Sequence, residues 1–148
     1  MIHSLKANAC GTIGCLHCLC NLVQTKKATA REGSFLSRYI ARCAELGTAR
    51  ERGLAVMEFP DLEAEHKAAA VRGQSEMAAE GVPVEVHYAA FVEVGGTLYE
   101  LDGRRTGPIS HGKCESAELL KASARVMKEI IAANPNENRY SFVALVRK

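Results

Sequence analysis

The chain has 148 residues, of which 47% are hydrophobic, and a formal net charge of +2. This length and composition suffice for one domain with a buried core, and the small net charge argues against nucleic acid or an anionic membrane as a partner. No apolar run reaches the roughly 18 residues of a membrane span, and the first residues lack the regions of a signal peptide. We therefore expect the cytoplasm, with the nucleus as a second compartment.

A cysteine stands at the start of the first predicted helix. Asn8-Ala9-Cys10-Gly11 is followed at once by an apolar run, which predicts a helix from Cys10 to about Leu22 that is buried on all sides. Unpaired backbone N–H groups and the helix dipole favour negative charge at a helix start, so a cysteine there is suited to form a reactive thiolate. Cys10 is therefore a candidate nucleophile, although a cysteine considered alone is more often a buried structural thiol.

A histidine and an aspartate lie on opposite arms of a predicted β-hairpin. We predict one strand beginning near His87 and a second from Leu98 to Asp102, joined through Gly95-Gly96, whose glycines supply positive φ angles. Such a hairpin can present an imidazole and a carboxylate together, which a cysteine nucleophile needs as its base and orienting group. Considered singly, the histidine is equally compatible with core packing and the aspartate with a turn.

Two longer motifs contain these residues. Asn8-Ala9-Cys10-Gly11-Thr12-Ile13-Gly14, with His17 after it, resembles the catalytic cysteine motif of the ubiquitin carboxyl-terminal hydrolases, which are papain-like cysteine deubiquitinases. The stretch from His87 through Leu98-Tyr99-Glu100-Leu101-Asp102-Gly103-Arg104 to Pro108-Ile109-Ser110-His111-Gly112 is similar to the histidine and aspartate block of that family. The resemblance covers essentially the whole chain. It implies a papain-like α+β fold, in which helices flank an antiparallel β-sheet.

The resemblance also implies roles and a reaction. It implies that Cys10 is the nucleophile, His87 the proton shuttle and Asp102 the residue that orients the imidazole. The implied reaction is hydrolysis of thioester, ester or amide bonds at the carboxyl terminus of ubiquitin, which removes small adducts or processes precursors without a metal or organic cofactor. The implied partner is ubiquitin or a ubiquitin-like modifier, such as one of the Nedd8 type, bound by a monomer.

The sequence departs from the family pattern on the amino-terminal side of the cysteine. Family members have a glutamine six positions before the cysteine, whose amide helps form the oxyanion hole; this chain has Ser4 there, which offers no N–H donor. The backbone N–H of Cys10 and the side chain of Asn8 remain as candidate donors. The family's amino-terminal strand and helices have no counterpart, so we expect residues 1–148 to form a single partial catalytic domain, truncated at its amino terminus.

Two functions therefore stay open on the sequence. The first is an active cysteine deubiquitinase. The second, motivated by Ser4 and the missing amino-terminal segment, is a catalytically impaired ubiquitin-binding relative or an incomplete gene product.

A loop is predicted before the histidine, from about residue 68 to residue 84. This stretch is rich in Ala, Glu and Gly and has few large apolar side chains to bury. In the resembling family a crossover loop passes over the active site at this position, and Gly73-Gln74-Ser75 is similar to part of it. An ordinary solvated connector with an Ala-rich helical tendency is a nearly equal alternative.

The chain has six cysteines, and four of them crowd into the first predicted helix. Without a secretory signal they are interpreted as free thiols in a reducing compartment. Cys15, Cys18 and Cys20 permit a third hypothesis, a thiol redox or metal-binding protein. No second ligand pair with zinc-like spacing accompanies them, so packing within the helix is the favoured interpretation of these thiols and of His17.

The remaining elements follow from the spacing of apolar residues. The pattern predicts a helix after Ser34, a short helix from Thr48, a helix from Asp61 to about Ala70, a short strand at Pro108-Ile109-Ser110-His111 and a helix from Ser116 that ends before Pro135. The near-continuous apolar run from Tyr140 to Val146 predicts a buried central strand.

Overall fold

Four helices precede a three-stranded sheet, and a fifth helix follows it, in the part of the chain that the structure describes. The computed structural model describes residue 1, residues 10–72 and residues 86–146. Its elements in chain order are α1 (Cys10–Gln24), α2 (Phe35–Ala44), α3 (Ala49–Ala55), α4 (Pro60–Arg72), β1 (Ala90–Val94), β2 (Thr97–Leu101), β3 (Ile109–Lys113) and α5 (Leu119–Ala133). None of these helices is both long enough and apolar enough to cross a membrane.

Side-chain caps begin α2 and α3 where the sequence predicts them. The Ser34 hydroxyl accepts a hydrogen bond from the Ser37 N–H at 3.3 Å, at the start of α2. Thr48 and Glu51 form a capping box before α3, in which the side chain of each residue accepts from the backbone N–H of the other. These bonds satisfy N–H groups that have no partner within a helix. Both predicted helix starts are confirmed.

The helices that precede the sheet share a core built around Tyr39. The Tyr39 ring stacks on Phe35 with centroids 5.6 Å apart and meets the Phe59 ring edge-on at 5.9 Å. Tyr39 is fully buried, and its hydroxyl donates to the Arg52 carbonyl oxygen at 2.8 Å, so the buried phenol has a partner. The residues of α1 in this core are Ile13, Leu16 and Cys20. One side of α1 is thereby fixed against α2 and α3.

The sheet is antiparallel, with strand order β1-β2-β3. Its β1–β2 hairpin turns at Gly95-Gly96, with φ angles of 60° and 78°, which confirms the predicted hairpin and its glycine turn. The first strand begins at Ala90 rather than near His87, and Ala90 pairs with Leu101. Pairing cannot extend towards His87 because the opposing chain turns away at Asp102.

Helices cover both faces of the sheet. On one face α1 packs through Cys18, and on the other face α5 packs through Ala122 and Val126. The strand residues in these contacts are Ala90, Val92 and Leu101 on the α1 face and Leu98 on the α5 face. Because α1 leaves Cys15 exposed, the prediction of a helix buried on all sides was wrong.

The fourth helix is longer than the sequence predicts. It begins at Pro60, a residue suited to the first position of a helix, and continues to Arg72. Residues 68–72 therefore belong to the helix and not to the predicted loop, because the three alanines at 68–70 have the highest helix propensity. The rest of that loop, including Gly73-Gln74-Ser75, lies outside the described residues.

Residues 140–146 do not form the predicted buried strand. They have no strand pairing, and the apolar side chains of Phe142, Val143, Leu145 and Val146 are exposed, that of Val143 to 90%. An apolar run becomes a strand only where a neighbour accepts and donates its backbone hydrogen bonds. None of the three described strands is its neighbour, so the prediction was wrong.

Candidate active site

Cys10 is the first residue of α1 and is half-buried. The first N–H groups of a helix have no acceptor within it, and the helix dipole favours negative charge there. The predicted placement of this cysteine at a helix start is confirmed. A sulfur anion, or the oxyanion of an attacked carbonyl, would meet partial positive charge at this position.

The segment that carries His87 lies directly on the first turns of α1. Tyr88 covers Gly11, since a Cβ added to Gly11 would lie 3.7 Å from Cδ2 of the Tyr88 ring. A Cβ added to Gly14 would lie 3.9 Å from the Cβ of Tyr88. Tyr88, the residue after His87, therefore lies against the first turns of the helix that begins with Cys10.

A short hydrogen bond joins His87 to Asp102. His87 Nε2 lies 2.6 Å from Asp102 Oδ1, and the two side chains are 18% and 13% exposed. Because an ionised carboxylate can only accept, Nε2 donates its hydrogen and Nδ1 is left as the proton-accepting nitrogen. Nδ1 is buried and has no hydrogen-bond partner in the described part of the chain. It is available to exchange a proton with a thiol or a leaving group.

The turn after β2 keeps Asp102 ionised. Its Oδ1 also accepts the Arg104 N–H at 2.8 Å, and its carbonyl oxygen accepts the Arg105 N–H at 3.0 Å. Burial, the largest single influence, raises the pKa of Asp102, but the Arg104 N–H, His87 and the Arg105 charge together outweigh it and lower the pKa below its usual value. The contacts of Arg104 and Arg105 with Asp102 were not predicted; the Asp-Gly turn, which directs backbone N–H groups towards a carboxylate, is the signal that indicates them.

The structure brings the three predicted side chains together in part. His87 and Asp102 are joined by a hydrogen bond, and Tyr88, next to His87, contacts the helix that begins with Cys10. Cys10 Sγ and His87 Nδ1 do not form a hydrogen bond, because Nδ1 has no partner. Such bonds are often long until a substrate binds. The arrangement can supply a thiol at a helix start and a base oriented by a carboxylate.

The structure describes only part of the predicted oxyanion hole. Ser4 and Asn8 lie outside the described residues, whereas the Cys10 N–H lies at the start of α1. A contact near the site was missed: Nδ1 of His66, on α4, lies 2.8 Å from Oγ1 of Thr12 on α1. No local motif could have signalled this contact, because the two residues are 54 positions apart.

The other cysteines of α1 point in different directions. Cys15 is exposed, Cys18 packs against the sheet and Cys20 lies in the core with Tyr39. Burial raises the pKa of Cys18 and raises that of Cys20 to about 12, so both thiols stay protonated at neutral pH. Among residues 10–72 and 86–146, no group of three or more His, Cys, Asp or Glu side chains is placed to hold a metal ion.

Comparison with known proteins gives a family match over most of the chain. The family described as ubiquitin carboxyl-terminal hydrolase, family 1, matches residues 2–132. A probable ubiquitin carboxyl-terminal hydrolase of Dictyostelium discoideum is 36% identical over 141 residues, which are 95% of this chain and 54% of that protein. Ubiquitin carboxyl-terminal hydrolase isozyme L1 of Homo sapiens is 33% identical over 140 residues, 95% of this chain and 60% of that protein. The chain thus spans little more than half the length of these relatives.

A solved structure has the same fold. The crystal structure of the Trichinella spiralis UCH37 catalytic domain bound to ubiquitin vinyl methyl ester matches with a TM-score of 0.68 at 23% identity, over 94% of this chain and 59% of that one. The likeness confirms the predicted papain-like α+β architecture. The family match over residues 2–132 shows that this chain belongs to family 1 of the ubiquitin carboxyl-terminal hydrolases.

Proposed function

We propose that this chain is a thiol-dependent ubiquitinyl hydrolase in which Cys10 is the nucleophile, His87 the general base and acid, and Asp102 the residue that orients the imidazole. One observation carries the proposal: His87 bonds Asp102 at 2.6 Å and keeps Nδ1 without a partner. The contact of Tyr88 with the first turns of α1 also supports the proposal. So do the names of the matched relatives, which are ubiquitin carboxyl-terminal hydrolases.

The proposed reaction proceeds in two halves. His87 Nδ1 takes the Cys10 thiol proton, and Sγ attacks the carbonyl carbon of a thioester, ester or amide at the carboxyl terminus of ubiquitin. The bond to the leaving group breaks, and the imidazolium gives its proton to the leaving thiol, alcohol or amine. Water then attacks the acyl-enzyme, its proton passes to Nδ1, and the Sγ–C bond breaks. The Cys10 N–H and the Asn8 side chain are the proposed oxyanion donors.

Ubiquitin is the proposed partner, and small carboxyl-terminal adducts or precursors are the proposed substrates. The UCH37 catalytic domain is bound to ubiquitin vinyl methyl ester, which supports this choice, and a modifier of the Nedd8 type is the finer alternative. We further propose that residues 1–148 form a single partial catalytic domain and that the chain is a monomer. All six cysteines are free thiols, which supports the cytoplasm or nucleus as the compartment.

Ser4 favours a second candidate, a ubiquitin-binding relative with impaired turnover. The Ser4 side chain, at the family's glutamine position, is shorter and cannot place an N–H donor where the glutamine amide would. Loss of one oxyanion donor costs about 100- to 1000-fold in turnover. Binding of ubiquitin would survive such a loss.

Reaction with ubiquitin vinyl methyl ester tests the proposal. The purified chain is incubated with the probe, and intact masses are compared for the wild type, Cys10→Ser and Cys15→Ser, since Cys15 is an exposed thiol on the same helix. We expect one ubiquitin adduct in the wild type and Cys15→Ser, and none in Cys10→Ser. The same reactive group on a Nedd8-type modifier tests the choice of partner.

A ubiquitin titration followed by NMR separates the two candidates. Binding without an adduct would favour the impaired relative over the hydrolase. Neither binding nor adduct would contradict both.

A further inference from the structure

The sheet carries a second partly buried histidine–carboxylate pair, which the proposed reaction does not use. His111 Nε2, on β3, lies 3.0 Å from Glu100 Oε2, on β2. The His111 side chain is 20% exposed and the Glu100 side chain 13%. Because a carboxylate only accepts, His111 Nε2 is the donor. Burying this acid without a donor would be costly, so the pair is unlike a surface contact.

The pair lies just before Asp102, where the pairing of β2 with β3 ends. Glu100 is two residues before Asp102 and pairs across the ladder with Ile109 of β3. This is the last β2–β3 pair before Asp102, and Leu101 is paired only with Ala90 of β1. Backbone bonds from β3 therefore stop short of Asp102.

The β2–β3 ladder is also irregular. The register shifts between Thr97 and Tyr99, so the regular pairing of β3 with β2 is interrupted. A hydrogen bond between side chains of neighbouring strands adds stability to such a pairing.

The imidazole of His111 reaches the third strand as well. Its ring centroid lies 5.8 Å from that of Phe91, and Phe91 pairs with Glu100 in the β1–β2 ladder. One cluster, formed by Phe91, Glu100 and His111, therefore connects all three strands immediately before Asp102.

We propose that His111 and Glu100 are positioning residues for Asp102: their hydrogen bond ties β3 to β2 and holds the Asp102 carboxylate where it meets His87. The inference rests on the proposed function for its catalytic consequence. Its structural consequence, the integrity of the His87–Asp102 bond, is independent of any substrate.

Two matched substitutions at His111 isolate the hydrogen bond from the packing. His111→Phe keeps a ring beside Phe91 but has no donor. His111→Gln places an amide N–H near the former Nε2 and restores the donor. Lys113→Ala, an exposed position on the same strand, is the control for mutating β3. If His111→Phe does not fold, Glu100→Met against Glu100→Gln makes the same comparison from the other partner.

The first measurement is the ¹⁵N–¹H signal of His87 Nε2–H in protein labelled at its five histidines. We expect a slowly exchanging signal in the wild type, in His111→Gln and in Lys113→Ala, and its loss in His111→Phe. Retention of the signal in His111→Phe, loss in both His111 variants, or its absence from the wild type would overturn the proposal.

The second measurement is hydrolysis of a ubiquitin fluorogenic amide. We expect kcat of His111→Phe to fall by about 10- to 100-fold, as for a displaced catalytic group, with KM within about twofold. A kcat equal to that of the wild type would overturn the catalytic consequence. If the wild type is inactive, the proposed function fails, while the His87 signal still decides whether His111 positions Asp102.

Discussion

A carboxylate lies at each end of the β1–β2 hairpin, Glu93 buried and Asp102 partly buried, and the two have different hydrogen-bond partners. Asp102, at the open end, bonds His87, whose other ring nitrogen has no partner in the described residues. Glu93, beside the glycine turn, is contacted by the Lys27 ammonium, the Ser116 hydroxyl and the Gly96 N–H. The Asp102 network includes a ring nitrogen without a partner in that part of the chain, whereas the Glu93 carboxylate accepts from three donors.

The Glu93 network is structural. Lys27 follows α1 and Ser116 precedes α5, so the buried acid ties both helix connections to the sheet. Hydrogen bonds from Lys27 and Ser116, and then from the Gly96 N–H, lower the pKa of Glu93 to about 2. A carboxylate saturated in this way stays charged and has no capacity left for proton transfer.

The comparison teaches that burial of a carboxylate does not by itself mark a catalytic group. What distinguishes Asp102 is that its partner, His87, keeps a ring nitrogen without a partner in the described residues. Neutralising each acid in turn should therefore change different properties of the protein.

The largest effect is expected for Asp102→Asn. The amide can donate to His87 Nε2, which forces the ring hydrogen onto Nδ1 and removes the base, so kcat/KM on a ubiquitin fluorogenic amide should fall by about 100- to 10,000-fold. Glu93→Gln is the matched control, since it removes a buried charge at the opposite end of the hairpin. Equal losses of activity in the two variants would mean that the hairpin, and not the His87 nitrogen, determines the rate.

A smaller effect, on stability, is expected for Glu93→Gln. Loss of the charged acceptor should lower the free energy of unfolding by about 2 kcal/mol at pH 7. The pKa of Glu93 is about 2 in the folded chain against an ordinary 4.5, so its contribution is complete above about pH 4.5 and is lost as the pH falls towards 2. Urea unfolding of both proteins between pH 7 and pH 2.5 measures this. A difference that does not shrink on acidification would contradict the charged network.

Local signals predicted the helices and the hairpin well. Ser34 and Thr48 predict the starts of α2 and α3 because the oxygen of a short side chain can accept from the first N–H groups of a helix. Gly95-Gly96 predicts the hairpin because glycine adopts both positive φ angles without strain. These features depend on a few neighbouring residues, so the sequence alone contains them.

Long-range requirements explain the errors. The apolar run at 140–146 has strand composition, but composition does not specify a neighbouring strand, and the segment is exposed. Ser116 has the chemistry of a cap, yet its hydroxyl bonds Glu93, and α5 begins at Leu119 after a 3₁₀ turn. In both cases the outcome depends on which residues the fold brings near.

The same distinction between local and long-range features applies to the candidate active site. Motif resemblance predicted Cys10, His87 and Asp102, and the structure supplies the His87–Asp102 bond that the spacing could only suggest. The His111–Glu100 pair was not foreseen because it depends on the β2–β3 register, which shifts within the ladder. Cross-strand register is set by packing of whole strands and not by a local motif.

The most direct test of the central claim is the rate at which each cysteine reacts with iodoacetamide at neutral pH, located by peptide mass spectrometry. Cys15 is the internal reference, because it lies on the same helix as Cys10 and is the more exposed of the two. We predict that Cys10 is alkylated first in the wild type, and that His87→Ala slows Cys10 while leaving Cys15 unchanged. Alkylation of Cys15 ahead of Cys10, or a Cys10 rate that His87→Ala does not change, would contradict a thiol site built from Cys10, His87 and Asp102.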